Sequence, residues 1–282
     1  MREGLVWLAI TAAAVTPAMG GPVIFSIPVS ASSFGLLGGS ISNTGTSAIM
    51  GNVGATSTIT GFDSSDGTAT GYVCTPTSGG PCTTGQDSAV TAAYDAIFSG
   101  GAFSTGEGLT ATGSYTTATS QTFLGDNVYA SSGDISTATG TDLTFDAQGN
   151  SAAVFVIQIK GAFTVNGAMD FTLEDGAQAS NIFWIVTDAA TISVGNSGPI
   201  VFDGDILAGT SVTMSAASGG SGTLAGTIDG CVFADTANAL AGTTNVEGCS
   251  ATVAIPEPGS ADLMSFGCLL LGIAGWRRFR VQ

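Results

Sequence analysis

The chain carries no histidine. A Ser-His-Asp relay or a Cys-His pair therefore cannot be assembled from it. Lys160 is the only basic residue between Gly21 and Ala254, so it is the only base that a lyase built on parallel strands could use. It ends the apolar run VFVIQIK, where its amine is expected to snorkel from a strand end into solvent. Two carboxylate pairs, Asp203/Asp205 and Glu174/Asp175, have a spacing that a glycosidase or a Ca²⁺ site could use. Both pairs adjoin Asp-Gly steps, where aspartate is a turn former first. These residues point away from an enzyme and away from any cofactor.

Four cysteines, Cys74, Cys82, Cys231 and Cys249, precede a fifth at Cys268. They lack C-x-x-C spacing, which argues against a zinc site. The simplest arrangement is two local disulfides, Cys74–Cys82 and Cys231–Cys249, although four cysteines allow three connectivities. Such bonds fit an oxidising, exported setting.

Both ends read as processing segments. Arg2, the apolar run Leu5–Val15 and the small residues Ala18 and Gly20 form a secretory signal over residues 1–20, too short for a relaxed membrane span. At the other end Pro256-Glu257-Pro258 lies in a linker at 251–260. An apolar run within 261–282 follows, and then Arg277, Arg278 and Arg280. The three parts in this order resemble a PEP-CTERM sorting tail. That resemblance implies transient membrane insertion, handling by an exosortase, and a cell-surface or matrix destination beside exopolysaccharide. A permanent single-span anchor is the alternative.

Between the processed ends, Lys160 faces 18 acids, a net charge of −17. A surface this acidic repels nucleic acid and anionic lipid. Yet charged residues make up only 9% of the chain. Most of the surface must be Thr, Ser, Gly, Asn and Ala.

The elements that position this surface are β-strands. Val154–Ile159 and Ile182–Val186 are short, continuous apolar runs bounded by Gly and Asx steps, as buried strands are. Phe163–Val165, Phe171–Leu173, Thr191–Val194, Ile200–Phe202, Asp205–Ala208, Val212–Met214 and Gly222–Ile228 continue the series. One helix is expected at Asp87–Phe98, with Asp87 as N-cap and an apolar stripe of Val90, Ala93, Tyr94, Ile97 and Phe98. Gly100-Gly101 would stop it. Uneven spacings between strands suit a β-solenoid better than hairpins, with a β-sandwich as the alternative.

Leu143–Ile159 (LTFDAQGNSAAVFVIQI), Gly176–Val186 (GAQASNIFWIV) and Gly204–Thr213 (GDILAGTSVT) resemble the ice-binding-protein-like family. So do the opening SSFGLLGGSISNTGTSAIMGNVG and the helix DSAVTAAYDAIF. The resemblance covers about Ser32 to Val246. It implies an irregular right-handed β-solenoid of triangular cross-section, with one long helix (about 87–98) packed alongside, spanning residues 21–250. It also implies adsorption to ice through one flat face, with no enzymatic activity.

Some family members carry loose Thr-(Ala/Gly)-x-(Thr/Asn) steps on that face. The nearest positions here are Thr44, Thr46 and Ser47, then Thr139 and Thr141, with Asn196, Ser197, Ser221 and Thr223 in comparable turns. Residues two apart on a strand share a side, and stacked strands repeat every ~4.8 Å. Hydroxyls in such an array can hold ordered water, and Thr is stiff at χ1. Threonine is also a general strand former, so a T-x-T pair reads equally as a solvated strand. The expected function is an exported ice-binding protein with the ice crystal as partner. The alternative is a structural matrix protein or adhesin on the same fold.

Overall fold

The computed structural model describes residues 23–249, apart from 64–65, 77–81, 117–119, 168, 195–199 and 217–224. The expected signal peptide and sorting tail, including Pro256, Glu257, Pro258, Arg277, Arg278 and Arg280, lie outside the described residues. So do Asn196, Ser197, Ser221 and Thr223.

Phe155–Ile159 and Ile182–Val186 are strands buried at every position. They pair in parallel, with Phe155 opposite Ile182 and Ile159 opposite Val186. Every strand pairing among the described residues is parallel. A sandwich of antiparallel sheets is thereby excluded. The chain instead winds in coils whose strands fall into three stacked sets, or faces.

The first face stacks Gly113–Ser114, Asn127–Ala130, Phe155–Ile159, Ile182–Val186 and Asp205–Ala208. Beyond these come the first parts of three long strands, Val232–Ala241, Phe34–Asn43 and Asn52–Thr60, and finally Val73–Cys74. The long strands turn a corner, marked by a register shift between Gly38 and Ser40, onto the second face. There they continue a stack of Ile135–Thr137, Phe163–Asn166, Ala190–Val194 and Ser211–Ala216. The third face is split. Gln121–Leu124, Thr141–Asp146 and Met169–Glu174 form three strands. Ile200–Asp203, Ala225–Asp229, Thr243–Val246, Ser47–Ile49 and Gly67–Ala69 form five.

Sequence order and stacking order differ in one respect. The N-terminal strand Phe34–Asn43 lies directly against the C-terminal strand Val232–Ala241. The first coils thus sit on the last one. After Val73–Cys74 the chain must return to the opposite end of the stack, and a helix makes that passage. This helix, α1, spans Thr84–Phe98. It begins three residues before the expected start, and its N-cap is Thr83 rather than Asp87. Gln86 N donates to Thr83 Oγ1 at 3.3 Å, and Thr83 N donates to Gln86 Oε1 at 2.8 Å. That reciprocal pair satisfies two backbone donors at once, which a lone Asp cap cannot do.

The expected stripe faces the sheet. Val90, Ala93 and Ile97 are buried, and Tyr94 and Phe98 pack beside them. The Tyr94 hydroxyl donates to Asp235 on the long C-terminal strand. A second, shorter helix, α2 at Ala102–Gly108, follows where irregular chain was expected. The buried Gln158 amide holds its end by donating to Gly106 O at 2.7 Å and Leu109 O at 2.8 Å. Helix ends leave carbonyls unpaired, so a buried amide aimed at them replaces water. Together α1, α2 and Phe25 cover the first face, which we call the helix-covered face.

Inside the coils the core is aromatic. Trp184 stacks on Phe163 at 5.2 Å and 8° between planes, and also meets Phe145, Phe171, Phe202 and Tyr115. Its Nε1–H donates to Asp203 O at 2.9 Å. The cysteines pair as the simplest arrangement requires, Cys74–Cys82 and Cys231–Cys249. Replacing Trp184 with Leu removes the hub of this cluster and orphans a buried carbonyl. Its expected cost is about 3 kcal/mol, read from the midpoint of guanidinium unfolding.

Candidate functional site

Each face presents a different chemistry to solvent. The helix-covered face is occupied by α1 and α2. The third face carries Asp142 beside Asp170, and Asp146 beside Glu174, in register on neighbouring strands. Among the described residues the second face carries neither cover nor charge. We call it the open face.

Its inward residues, among them Ile135, Phe163, Val165, Ile192, Met214 and Leu240, are buried in the core. The alternation of a strand then turns their neighbours outward. One outward row runs across seven coils, Ser136, Thr164, Thr191, Thr213, Ala239, Ser42 and Thr60, each in register with the next. A second row holds Asn166, Ser193, Ser215 and Ala241, and a third holds Ser211, Ala237, Ser40 and Thr58. Neighbours along a row are about 4.8 Å apart and the rows about 6.6 Å apart, from strand spacing and rise.

The hydroxyls of Thr164, Thr191, Thr213, Ser42 and Thr60 make no hydrogen bond within the described residues. Along the second row Ser215 Oγ donates to Ser193 Oγ at 3.3 Å, and between the rows Asn166 Nδ2 donates to Ser136 Oγ at 3.2 Å. The central row therefore leaves its threonine hydroxyls and Ser42 to water, while Ser136 at its end is tied to the second row. A β-branched side chain in a close-packed array has few rotamers, so the hydroxyl positions are fixed by the backbone.

The positions singled out by their Thr-Gly-Thr steps lie at the corner between the open face and the third face. Thr139 Oγ1 donates to Asn166 O at 3.2 Å, and Thr44 Oγ1 to Leu240 O at 3.4 Å. Thr46 and Thr243 share a hydroxyl contact of 3.1 Å. Thr141 and Ser47 are buried, with their hydroxyls donating to Ala138 O and to Asn43 Oδ1. Thr44 stands beside Ala241, at the end of the second row, because its N–H donates to Leu240 O. The sequence signal for the rows themselves is a polar-apolar-polar step inside each short strand: Thr164-Val165-Asn166, Thr191-Ile192-Ser193 and Thr213-Met214-Ser215.

The chain is thus a coiled stack of parallel strands with a helix laid along one face and an uncharged hydroxyl array on another. The Ice-binding-like family model matches residues 36–246. The chain belongs to the Ice-binding-like family. It is 40% identical over 74 residues to the ice-binding protein K3-B1 of Typhula ishikariensis, 26% of this chain and 29% of that protein. It is 34% identical over 100 residues to an ice-binding protein of Flavobacterium frigoris (strain PS1), 36% of this chain and 31% of that one. The matched segments thus span about a third or less of each relative's length. Among solved structures, the ice-binding protein of the Antarctic ascomycete Antarctomyces psychrotrophicus has a TM-score of 0.63 at 27% identity. That alignment covers 78% of this chain and 97% of that one. An ice-binding protein from an Antarctic biological consortium has a TM-score of 0.64 at 26% identity, covering 82% and 94%.

The charged edge of the third face is electrostatically unusual. Burial raises the Asp203 carboxyl to about 6, and the Asp229 charge adds to the rise. Burial raises Asp205 to about 7, Asp229 adds to that, and the Cys231 N–H donating to Asp205 at 2.8 Å opposes it. A carboxyl raised in the fold favours the folded state while protonated. That contribution is whole below about pH 4, the unfolded value, and is lost as pH rises through about 7. In metal-free buffer the melting temperature should fall across that window. Asp205→Asn keeps an acceptor for Cys231 and removes the charge. It should flatten the profile and melt several degrees above the wild type at about pH 8, where the difference is a few kcal/mol.

Proposed function

We propose that this chain is an exported ice-binding protein, non-enzymatic, that adsorbs to ice through the open face and so acts as an antifreeze and inhibits ice recrystallisation. The observation that carries this reading is the central row, Ser or Thr at every position but Ala239, uncharged and with its threonine hydroxyls unpartnered among the described residues. Ice is a lattice of water. A face that holds water at fixed, repeating positions can join that lattice, provided its own groups move little. Thr methyls discourage disordered contact with bulk water, while the hydroxyls anchor ordered water. A charged side chain would hold its own hydration shell instead, and the rows contain none.

In this reading the coil is a right-handed solenoid of triangular cross-section occupying residues 21–250. Thr44, Thr46, Ser47, Thr139 and Thr141 form the rim of the ice face rather than its centre, and Asn196, Ser197, Ser221 and Thr223 stay candidates on sequence alone. Residues 1–20 are the export signal, 251–260 the Pro-Glu-Pro linker and 261–282 the apolar sorting segment with its basic end. An exosortase would process that tail, placing the protein at the cell surface or in an exopolysaccharide matrix. The two disulfides are consistent with folding outside the cytoplasm.

The test is thermal hysteresis and ice recrystallisation measured on the purified full chain. Activity at micromolar concentration is expected. Thr191→Tyr and Thr213→Tyr each break the centre of the array and should remove most of it, with melting temperatures nearly unchanged. Thr139→Tyr, at the rim, should weaken it about twofold, a few tenths of a kcal/mol in adsorption. Inactivity at high micromolar concentration sinks the reading and leaves a structural matrix role. Full activity in both central variants moves the site off the open face.

A further inference from the structure

Away from the open face, a buried acid stands beside one of the two disulfides. Cys231 precedes the strand Val232–Ala241, and Cys249 lies shortly past Thr243–Val246. Their bond closes the last described coil on itself. It does so where the first described strand is seated, for Cys249 Sγ lies 3.3 Å from Phe34 O. Asp205 reaches the same point from the neighbouring strand Asp205–Ala208 and is 2% exposed. A carboxylate oxygen of Asp205 and the sulfurs of Cys231 and Cys249 lie within 4.8 Å of one another. The sulfurs are bonded to each other, so the chemistry open to this trio is thiol–disulfide exchange rather than metal binding.

The two sulfurs are not equivalent. Cys231 is fully buried, in a cluster with Leu207 and Phe233, while Cys249 is partly exposed. Disulfides exchange when a thiolate attacks one sulfur and the other departs. Cys249 Sγ is the sulfur open to attack, so Cys231 is the one that leaves. A thiolate released into apolar surroundings is disfavoured unless a cation or a proton meets it. The elements packed around this point carry acids alone. Asp203 lies two residues before Asp205, Asp229 and Glu247 precede Cys231 and Cys249, and Asp235 lies further along Val232–Ala241. Ile182–Val186 and Ala179–Asn181 carry no charge, and α1 and α2 carry only Asp87, Asp95 and Glu107. Lys160, the only basic residue among the described ones, follows the far end of Phe155–Ile159.

The leaving sulfur therefore needs a proton, and Asp205 is the group within reach. Its Oδ1 accepts the Cys231 N–H at 2.8 Å, so the acid form carries its proton on Oδ2. A carboxyl buried without a counter-charge costs stability, and such groups gather where proton transfer needs them. The other disulfide differs. Asp87 Oδ1 lies 3.3 Å from Cys74 Sγ, but Asp87 is partly exposed, so water can serve the sulfurs there.

We propose that Asp205 is the proton-transfer residue for making and breaking the Cys231–Cys249 disulfide by exchange with a dithiol or its disulfide. In reduction, a thiolate of the incoming dithiol attacks Cys249 Sγ. The sulfur–sulfur bond breaks, Cys231 leaves with the electron pair, and Asp205 Oδ2 gives it a proton. The dithiol's second thiolate then attacks its own sulfur in the mixed disulfide. Cys249 leaves and takes a proton from solvent, which also restores the proton on Asp205. The protein gains two electrons and two protons, and the dithiol becomes a disulfide. In formation the Asp205 carboxylate takes the proton of the Cys231 thiol as that sulfur attacks a mixed disulfide on Cys249. Burial raises Asp205 to about 7, with Asp229 adding to the rise, so it can both hold and release a proton near neutrality. The site lies away from the hydroxyl rows, so it stands whether or not those rows bind ice.

The probe is dithiothreitol added to the folded full chain between about pH 5.5 and about pH 8.5, a range that brackets the Asp205 titration. Samples are quenched in acid and alkylated, and each disulfide is followed by peptide mass spectrometry. Rates are expressed per reagent thiolate, which removes the titration of the reagent itself. The wild-type rate for Cys231–Cys249 should fall as pH rises through about 7, because the acid form of Asp205 disappears. Asp205→Asn keeps the acceptor for the Cys231 N–H and loses the proton. It should slow reduction about tenfold or more at about pH 5.5 and flatten the profile. Asp229→Asn removes a neighbouring anion and should move the inflection to lower pH. Cys74–Cys82 should be reduced equally fast in all of these chains. A carboxylate that acted only by repelling the thiolate would leave Asp205→Asn equal to the wild type at about pH 5.5, where the group is already neutral. That equality overturns the proposal, as does a wild-type rate that does not change with pH.

Discussion

The whole assembly depends on one strand being paired on both edges. Phe34–Asn43 lies between Val232–Ala241 and Asn52–Thr60, and it turns the corner from the helix-covered face to the open face with both partners. A strand with unpaired edges inside a stack would leave buried N–H and C=O groups without partners, each at a real cost. This insertion removes that cost from the last described coil and seats the first described strand on it. Its local demands are strict. Gly38 lies where a Cβ would meet Ala234 O at 2.9 Å and the Asn238 amide at 2.7 Å. Asn238 in turn donates to Leu37 O at 2.8 Å, bridging the two strands at the bend. Because the first coils stack on the last, the chain has to cross the full height of the stack, and α1 is the consequence. One face is thereby covered and another left open.

This closure also explains why the open face can be regular while the coils are not. Thr164, Thr191 and Thr213 are separated in sequence by unequal intervals, yet they stand in register. The differences in length are absorbed at corners and on the third face, where the sheet splits between Met169–Glu174 and Ile200–Asp203. Irregularity is confined to places where neither core nor array needs a constant spacing. Charge is segregated in the same way. The acids lie on the third face, on the helices and at the corners, among them Asp134, Asp188 and Asp235 between the helix-covered and open faces. The hydroxyl rows stay free of them.

The parts of this arrangement most legible in the sequence are those that burial dictates. Val154–Ile159 and Ile182–Val186 stand out because both of their sides are covered, by aromatic core within and by α1, α2 and Phe25 without. The stripe of α1 was equally plain. Its start was not, because Thr83 and Gln86 lie in a Gly/Thr-rich stretch where a capping box resembles ordinary loop composition. The second helix was hidden for a related reason. Its sequence, AFSTGEG, is a poor helix former and is held by Gln158, which is distant in sequence. The hydroxyl rows were harder still. Tight Thr-Gly-Thr steps attract notice, but glycine between threonines marks a corner, where Gly140 adopts a positive φ of 80°. The outward threonines of the open face instead flank Val, Ile and Met, and look like unremarkable strand residues until the registers are known.

The same logic separates what a surface group does for the fold from what it offers to a partner. At the corner, Thr139, Thr141 and Thr44 spend their hydroxyls on backbone carbonyls of their own or a neighbouring coil. Those bonds hold the turns and leave little donor capacity to direct outward. On the open face the backbone of each strand is already satisfied by the strands on either side, so Thr164, Thr191 and Thr213 have no carbonyl to serve. Their hydroxyls remain free because the ladder beneath them is complete. A surface able to order water thus arises where the strand register is most regular, and the side chains there hold their positions because the backbone does not need them.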